Sequence, residues 1–387
     1  MHPSGGEVVK SSYQHTSSDG LVRDFTVSVQ QSMRRCRVAY PWDPQFDSFD
    51  YGEKHPLKAG RFKMIDGFLN AAGFFSLPNV KRVDTEPLPA DLLARTHSAE
   101  YLEKIRHIST TGEGEVDIDT PGFKGIYENA SILSGATVTG VRAVMSGDAE
   151  HFFSPTGGFH HAKYGAGGGF CVFNDVAAAV YELKERGLSR ILIADFDVHH
   201  GNGTQSYFYE DPDVMVISFH EDPEWMYPHE GYVKEIGSGP GLGYTINMPF
   251  PMDSCDGVYR YAFDELVPPL IGFFRPEFII FLPGFDAHYM DRLAHLRLTT
   301  HMTRYIAERI HTFGHRWCAG RLGVVTGGGY HPDPLSWGVC TVMSVLSGHE
   351  YKPPEQKPPF MDDAETWRIV RENVRQVKSL VFTVLGM

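Results

Sequence analysis

Apolar positions along the chain fall into two spacings. Short apolar runs at 36–40, 151–154, 190–195, 214–220, 277–282 and 322–326 have the length of strands. The run that ends at Ala194 does not alternate with polar residues, so it reads as a parallel strand buried on both faces. Longer segments over 57–72, 98–108, 130–145, 174–186, 299–313 and 362–385 read as helices, with Asn174-Asp175 opening the fourth as an N-cap. Strands alternating with helices predict an α/β fold, a mostly parallel sheet with helices on both faces. No internal repeat or linker breaks the pattern, which favours a single domain over 35–387 rather than two. Residues 1–34 are rich in Ser, Gly, Thr and Gln without a period and read as a polar N-terminal arm.

Composition narrows the class. A chain of 387 residues that is 42% hydrophobic can bury a large core. A formal net charge of -13 argues against tight binding to phosphate backbones, so no direct nucleic-acid partner is expected and neutral or cationic partners are favoured. The five cysteines, Cys36, Cys171, Cys255, Cys318 and Cys340, are scattered without CxxC spacing. That predicts reduced thiols in a cytoplasmic compartment and no zinc ribbon. No apolar stretch is long enough to span a bilayer, so a soluble chain is expected. A homo-oligomer is compatible with all of this, and the oligomeric state stays open.

The chemistry gathers where strands end. After the 190–195 run come Phe196-Asp197-Val198-His199-His200-Gly201-Asn202-Gly203, and side chains two apart on a strand share a face. Asp195, Asp197 and His199 therefore project the same way, and carboxylate with imidazole suits a zinc-type cation. His160-His161, Ser218-Phe219-His220, Gly284-Phe285-Asp286-Ala287-His288 and Gly327-Gly328-Gly329-Tyr330-His331 follow other predicted strands. Packing does not require this recurrence. One pocket built by loops at one edge of the sheet explains it.

Together, Gly157-Gly158-Phe159-His160-His161-Ala162, Gly168-Gly169-Phe170-Cys171-Val172-Phe173-Asn174-Asp175, the Asp195 to Gly203 stretch, Pro283 to His288 and Gly327 to Tyr330 resemble the histone deacetylase superfamily. That superfamily also contains acetylpolyamine deacetylases and acetoin-utilisation proteins. The resemblance implies one catalytic zinc held by Asp197, His199 and Asp286. It implies His161 as general base and acid, His160 as its electrostatic partner, Asp195 and Asn202 as their orienting groups, and Tyr330 as oxyanion donor. Asn202 stands where the class I pattern has a second Asp, which places a neutral group behind His161. Structural potassium or sodium ions are implied at Asp195, Asp197, His199, Ser218 and Phe219, and at Phe208, Asp211 and Val214.

The resemblance also implies a narrow tunnel for an acylated amine, either protein acetyl-lysine or an acetylpolyamine. Phe170 and Tyr227 match its walls, Asp119 a rim acid, and Gly328 the glycine loop beside it. Leu293 sits where a polyamine-selective branch carries a glutamate, and Asp291-Arg292 replaces the usual Asp-Pro. Two other readings remain. One is an arginase-type ureohydrolase with two manganese ions, which Asp286-Ala287-His288 faintly echoes; the other is a non-catalytic scaffold that only binds acylated ligands.

Overall fold

All eight strands of the main sheet run parallel, as a chain that alternates strands with helices requires. A computed structural model describes residues 34–356, 358 and 360–387. The arm expected over 1–34 lies, apart from Arg34, outside the described residues. In chain order the elements are β1 (Val38–Trp42), α1 (Arg61–Ala71), β2 (Val80–Asp84), α2 (Ala90–Thr96), α3 (Ala99–Thr111), a small hairpin of β3 (Glu115–Asp117) and β4 (Thr120–Pro121), α4 (Ile126–Met145), β5 (His151–Ser154) and α5 (Asp175–Glu185). Then follow β6 (Ile191–Asp195), α6 (Asn202–Phe208), β7 (Val214–Glu221), β8 (Thr245–Phe250), α7 (Asp256–Phe274), β9 (Phe278–Leu282), α8 (Thr300–Trp317), β10 (Leu322–Val325), α9 (Pro332–Ser347) and α10 (Ala364–Val377).

The sheet order is β2-β1-β5-β10-β9-β6-β7-β8. The five strands whose ends carry histidine, aspartate or tyrosine are therefore neighbours in the middle of the sheet. Along β6, Ile191 and Ile193 pack into one core layer while Leu192 and Ala194 pack into another. The alternation survives past the last ladder bond, because Phe196 and Val198 stay in the second layer. That leaves Asp195, Asp197 and His199 facing the other way, as their spacing predicts.

Eight elements were not legible in the sequence: β2, α2, β3, β4, α6, β8, α7 and α9. β2 is an edge strand with mostly exposed side chains, and β8 contains Pro249. α7 carries Pro268 and Pro269 inside it, which argues against a helix on local grounds. Burial of Val258, Tyr259, Ala262, Phe263, Leu266, Val267, Leu270 and Ile271 overrides that penalty. α9 is buried along most of its length, so it lacks the polar face that marks an amphipathic helix. The expected 362–385 helix is present as α10, but it passes into a π-helical stretch at Lys378–Phe382.

The amino end of α7 is satisfied from far along the chain. Asp362 accepts from Cys255 N at 2.6 Å and from Val258 N at 3.0 Å, serving as a cap supplied by the segment that leads into α10. Replacing Asp362 by Ala should lower stability by roughly 0.5–2 kcal/mol, the usual cost of a lost cap. Denaturant unfolding would read this, with Asp362→Asn expected to fall between the two.

Candidate active site

The loop after β5 is fixed from below by a carboxylate. Asp175, the first residue of α5, accepts from Gly158 N at 3.0 Å, Phe159 N at 2.7 Å and Thr137 Oγ1 at 2.5 Å. Asn174 Oδ1 caps α5 through Ala177 N at 2.8 Å, and its Nδ2 donates to Ala162 O at 3.0 Å. These bonds hold both sides of His160-His161 against the start of one helix, which explains why Asn174-Asp175 follows the histidines in the sequence.

Both rings are then oriented by acceptors behind them. His160 Nδ1 donates to Asp195 Oδ2 at 2.8 Å, and His160 Nε2 lies 3.1 Å from His161 Nε2. His161 Nδ1 donates to Asn202 Oδ1 at 3.0 Å. Asn202 Nδ2 in turn donates to Glu230 Oε1 at 3.1 Å, and Lys163 Nζ donates to the same oxygen at 2.7 Å. Burial opposes a charge on His160, but the Asp195 carboxylate outweighs it and lifts the pKa to about 9. For His161, burial and the neighbouring His160 and His199 push the pKa well below the usual imidazole value, and Asn202 only partly offsets them. The pair is thus split into one imidazolium and one neutral base.

The three predicted metal ligands do converge. One donor atom each from Asp197, His199 and Asp286 lies within 4.8 Å of the others. His199 Nδ1 sits 3.2 Å from Asp197 Oδ1 and 3.1 Å from Asp286 Oδ2. Asp197 is 2% exposed and Asp286 0%, so two buried carboxylates share a single imidazole. Burial first, and then repulsion from Asp197, pushes Asp286 up to about 7. Two close carboxylates with one imidazole nitrogen form a donor set whose charge a divalent cation balances, so the residues fit such an ion.

Glycines make this approach feasible. A Cβ on Gly328 would stand 1.9 Å from Asp286 Oδ2, and one on Gly284 would stand 2.3 Å from Asp197 Cα. Gly328 N donates to Asp197 Oδ2 at 2.6 Å, so its amide is committed to the Asp197 carboxylate while its backbone lines the cavity. The carbonyls of Gly327 and Gly328 accept from Arg61 Nη2 at 2.9 and 3.3 Å, and that of Gly329 accepts from Arg61 Nη1. Tyr330 is set by Asp291 Oδ2, which accepts from Tyr330 N at 2.6 Å and His331 N at 3.2 Å. Burial, followed by the charges of Asp286 and Asp197, holds the Tyr330 phenol well above its usual pKa, so it remains a donor.

The cavity floor and walls include His160, His161, Phe170, Asp197, His199, Gly328 and Tyr330. Phe170 meets the Tyr330 ring at 5.8 Å and 85° and the His55 ring at 4.4 Å. Its φ of 68° is unusual for a non-glycine residue, and Thr120 Oγ1 and Tyr51 OH hold the backbone on either side. Tyr227 packs its ring 5.0 Å from His161.

Other predicted positions have different surroundings. Asp119 accepts from Gly169 N at 3.0 and 3.2 Å and from Thr120 Oγ1 at 2.7 Å, so it shapes the Phe170 loop. Leu293 N donates to Asp291 Oδ1 at 3.1 Å in the turn that aims Asp291 at Tyr330. His220 does not join the cavity; it bonds Ser218 Oγ and Gly231 O, both at 2.8 Å. Ser218 pairs with Asp195 across the β6–β7 ladder, with Phe219 next to it on β7. Near the other expected cation position, the Asp211 carboxylate is paired with Lys184 Nζ at 2.5 Å, Asp211 N donates to Phe208 O, and Val214 N donates to Asp211 O.

His288 and Asp291, which a two-manganese site would recruit, have other partners. His288 Nε2 pairs with Glu355 Oε1 at 2.9 Å, and Asp291 holds the Tyr330 backbone. Sequence reasoning missed the positioning work of Arg61, Glu230 and Lys163. Only Arg61 had a signal, its place beside His55-Pro56-Leu57-Lys58.

A family model described as the histone deacetylase domain matches residues 55–346. The chain belongs to the histone deacetylase family. Among its relatives, the acetoin utilization protein AcuC of Bacillus subtilis is 32% identical over 81% of this chain and 84% of its own length. A probable deacetylase of Archaeoglobus fulgidus is 36% identical over 76% and 82%, and the histone deacetylase-like amidohydrolase of Pseudomonas aeruginosa is 33% identical over 72% and 78%. The crystal structure of the HDA15 HD domain superposes with a TM-score of 0.80 at 25% identity, covering 90% of this chain and 95% of that one. The parallel eight-stranded sheet is therefore the deacetylase-type architecture. Among the described residues no helix is long and apolar enough to cross a membrane.

In this deacetylase-family site Gly328 has no room for a methyl group. Gly328→Ala should weaken divalent-metal affinity about 10–100-fold by displacing Asp286, an effect of the size that supporting groups around metal ligands produce. Competition against a chromophoric chelator measures it, and an unchanged far-ultraviolet circular dichroism spectrum would place the loss at the site.

Proposed function

We propose that this chain is a zinc-dependent amidohydrolase that removes an acetyl or similarly small acyl group from an amine, such as acetyl-lysine or an acetylated polyamine. One observation carries the reading: Asp197, His199 and Asp286 converge beside a cavity that His160, His161 and Tyr330 also line. Membership of the deacetylase family and the names of its relatives support a hydrolase that cleaves acyl amides.

Asp197, His199 and Asp286 would hold the zinc, which when bound polarises an amide carbonyl and lowers the pKa of a water. His161, neutral and backed by Asn202, is suited to take the proton of the attacking water and hand it to the departing nitrogen, since an amine leaves only once protonated. His160, held protonated by Asp195, supplies positive charge without competing for that proton. The Tyr330 hydroxyl donates to the oxygen that gains negative charge. Phe170, with Tyr227 beside His161, would line the path of an aliphatic stem, where burial of methylenes contributes binding. Any structural potassium or sodium rests on the family resemblance. The soluble, cytoplasmic setting and the 35–387 catalytic domain belong to the same proposal.

Tyr330→Phe should lower kcat on a fluorogenic acetyl-lysine peptide by about 10²–10³-fold with little change in KM, the cost of one oxyanion donor. Asp197→Ala should lose the metal at this site together with turnover. A zinc-loaded protein that hydrolyses no acyl amide would instead favour a binding scaffold, and two manganese ions per chain would favour a ureohydrolase. Ranking acetylputrescine, acetylspermidine and acetyl-lysine peptides by kcat/KM identifies the amine, with at least one expected to react.

A further inference from the structure

A second set of metal-ligating side chains lies away from the cavity. Cys36 precedes β1, His151 opens β5, and His311 and His315 stand one turn apart on α8. The paired starts of β1 and β5 bring Val38 opposite His151. These are the amino-terminal ends of the strands, whereas the catalytic cavity lies past their carboxyl ends.

The four donor atoms turn toward one another. His311 Nε2 is 3.1 Å from both His151 Nε2 and His315 Nε2, and Cys36 Sγ is 3.4 Å from His315 Nε2 and 3.8 Å from His311 Nε2. All four fit within 4.8 Å of one another. A tetrahedral zinc with ordinary bond lengths would separate neighbouring nitrogens by roughly 3.3 Å, and sulfur from nitrogen by roughly 3.6 Å. The two nitrogen–nitrogen distances of 3.1 Å fall just under the first value, and the sulfur–nitrogen distances of 3.4 and 3.8 Å bracket the second. Hydrogen bonding alone explains the cluster poorly, because three imidazole Nε2 atoms crowd together and a neutral ring has one donor and one acceptor nitrogen.

We infer that Cys36, His151, His311 and His315 form a structural site for a tetrahedral zinc-class divalent cation, distinct from the catalytic one. Cys36 and His151 are 0% exposed, and four protein ligands close the coordination sphere, as in structural rather than catalytic zinc sites. Burial keeps the imidazoles neutral with their lone pairs available. Binding then forms one metal–sulfur and three metal–nitrogen bonds and releases a single proton, from the Cys36 thiol, to solvent. The site keeps one positive charge, beside the Glu150 carboxylate. Arg34 Nη1 now lies 3.4 Å from His315 Nδ1; with Nε2 on the metal that nitrogen carries the proton, which leaves Arg34 its existing 3.0 Å pair with Glu150. The ion would pin β1 and β5 to α8.

The inference does not depend on the proposed hydrolase activity, and its test separates the two. The full chain, stripped by chelator, is titrated with cobalt(II) alone and followed by absorption. Wild type should take up two equivalents, one of them with a sulfur-to-cobalt charge-transfer band and intense tetrahedral d–d bands. Asp197→Ala should keep that band while binding one equivalent. Cys36→Ser should lose it and still bind the other. His315→Gln, at a partly exposed position, should weaken uptake at least tenfold, and zinc should raise the Tm of Asp197→Ala. Absence of a thiolate band in wild-type protein, its persistence in Cys36→Ser, or no cobalt uptake by Asp197→Ala would overturn the inference. If Cys36→Ser does not fold, the wild-type spectrum and His315→Gln decide.

Discussion

Two carboxylates buried side by side, Asp197 and Asp286, set the terms for everything around them. Removing such groups from water costs several kcal/mol each unless charge and hydrogen bonds are supplied in their place. The fold supplies donors: Val198 N on Asp286 at 3.2 Å, and His199 N and Gly328 N on Asp197 at 3.0 and 2.6 Å. It also supplies the space, since Gly284 and Gly328 sit where any larger residue would collide with these aspartates. The remaining imbalance of charge is one that a divalent cation would offset.

A second layer of acids, Asp175 and Asp291 buried and Asp119 half-buried, does analogous work on the backbone. Asp175 gathers the amides ahead of His160, Asp291 those of Tyr330 and His331, and Asp119 that of Gly169. Each carboxylate fixes one loop of the cavity, so its geometry is enforced by charge-assisted bonds rather than by loop stiffness. The split between His160 and His161 follows from the same economy of partners. One ring has a carboxylate behind it, the other only an amide, and with burial and the neighbouring histidines this gives two adjacent imidazoles opposite proton affinities.

The sequence made much of the site legible because its ligands come from strand ends. A two-residue spacing on β6 forecasts a shared side for Asp195, Asp197 and His199, and the layers on either face of the sheet preserve it beyond the strand. The expectation failed for His220, which obeys the same spacing on β7 but turns to Ser218 and Gly231. Asp119, expected at the tunnel rim, also accepts from its own fold, through Gly169 N and Thr120 Oγ1. Neither distinction is visible locally, because each depends on a partner 11 or 50 residues away. The same holds for Cys36, His151, His311 and His315. Only the one-turn spacing of the last two is a sequence signal, and register across the sheet supplies the others.

Arg61 joins the first helix to the carbonyls of the glycine loop across separations of 266 to 268 residues. Contacts that distant close only after nearly all the chain has been synthesised, so the phenol's platform cannot be assembled during early folding. A nascent chain that has made α1 but not yet β10 carries a buried-type guanidinium with nothing to grip. The candidate site is consequently among the last features to become whole, and a polypeptide interrupted before Gly327 would hold all eight strands of the sheet without the glycine loop and phenol at their carboxyl ends.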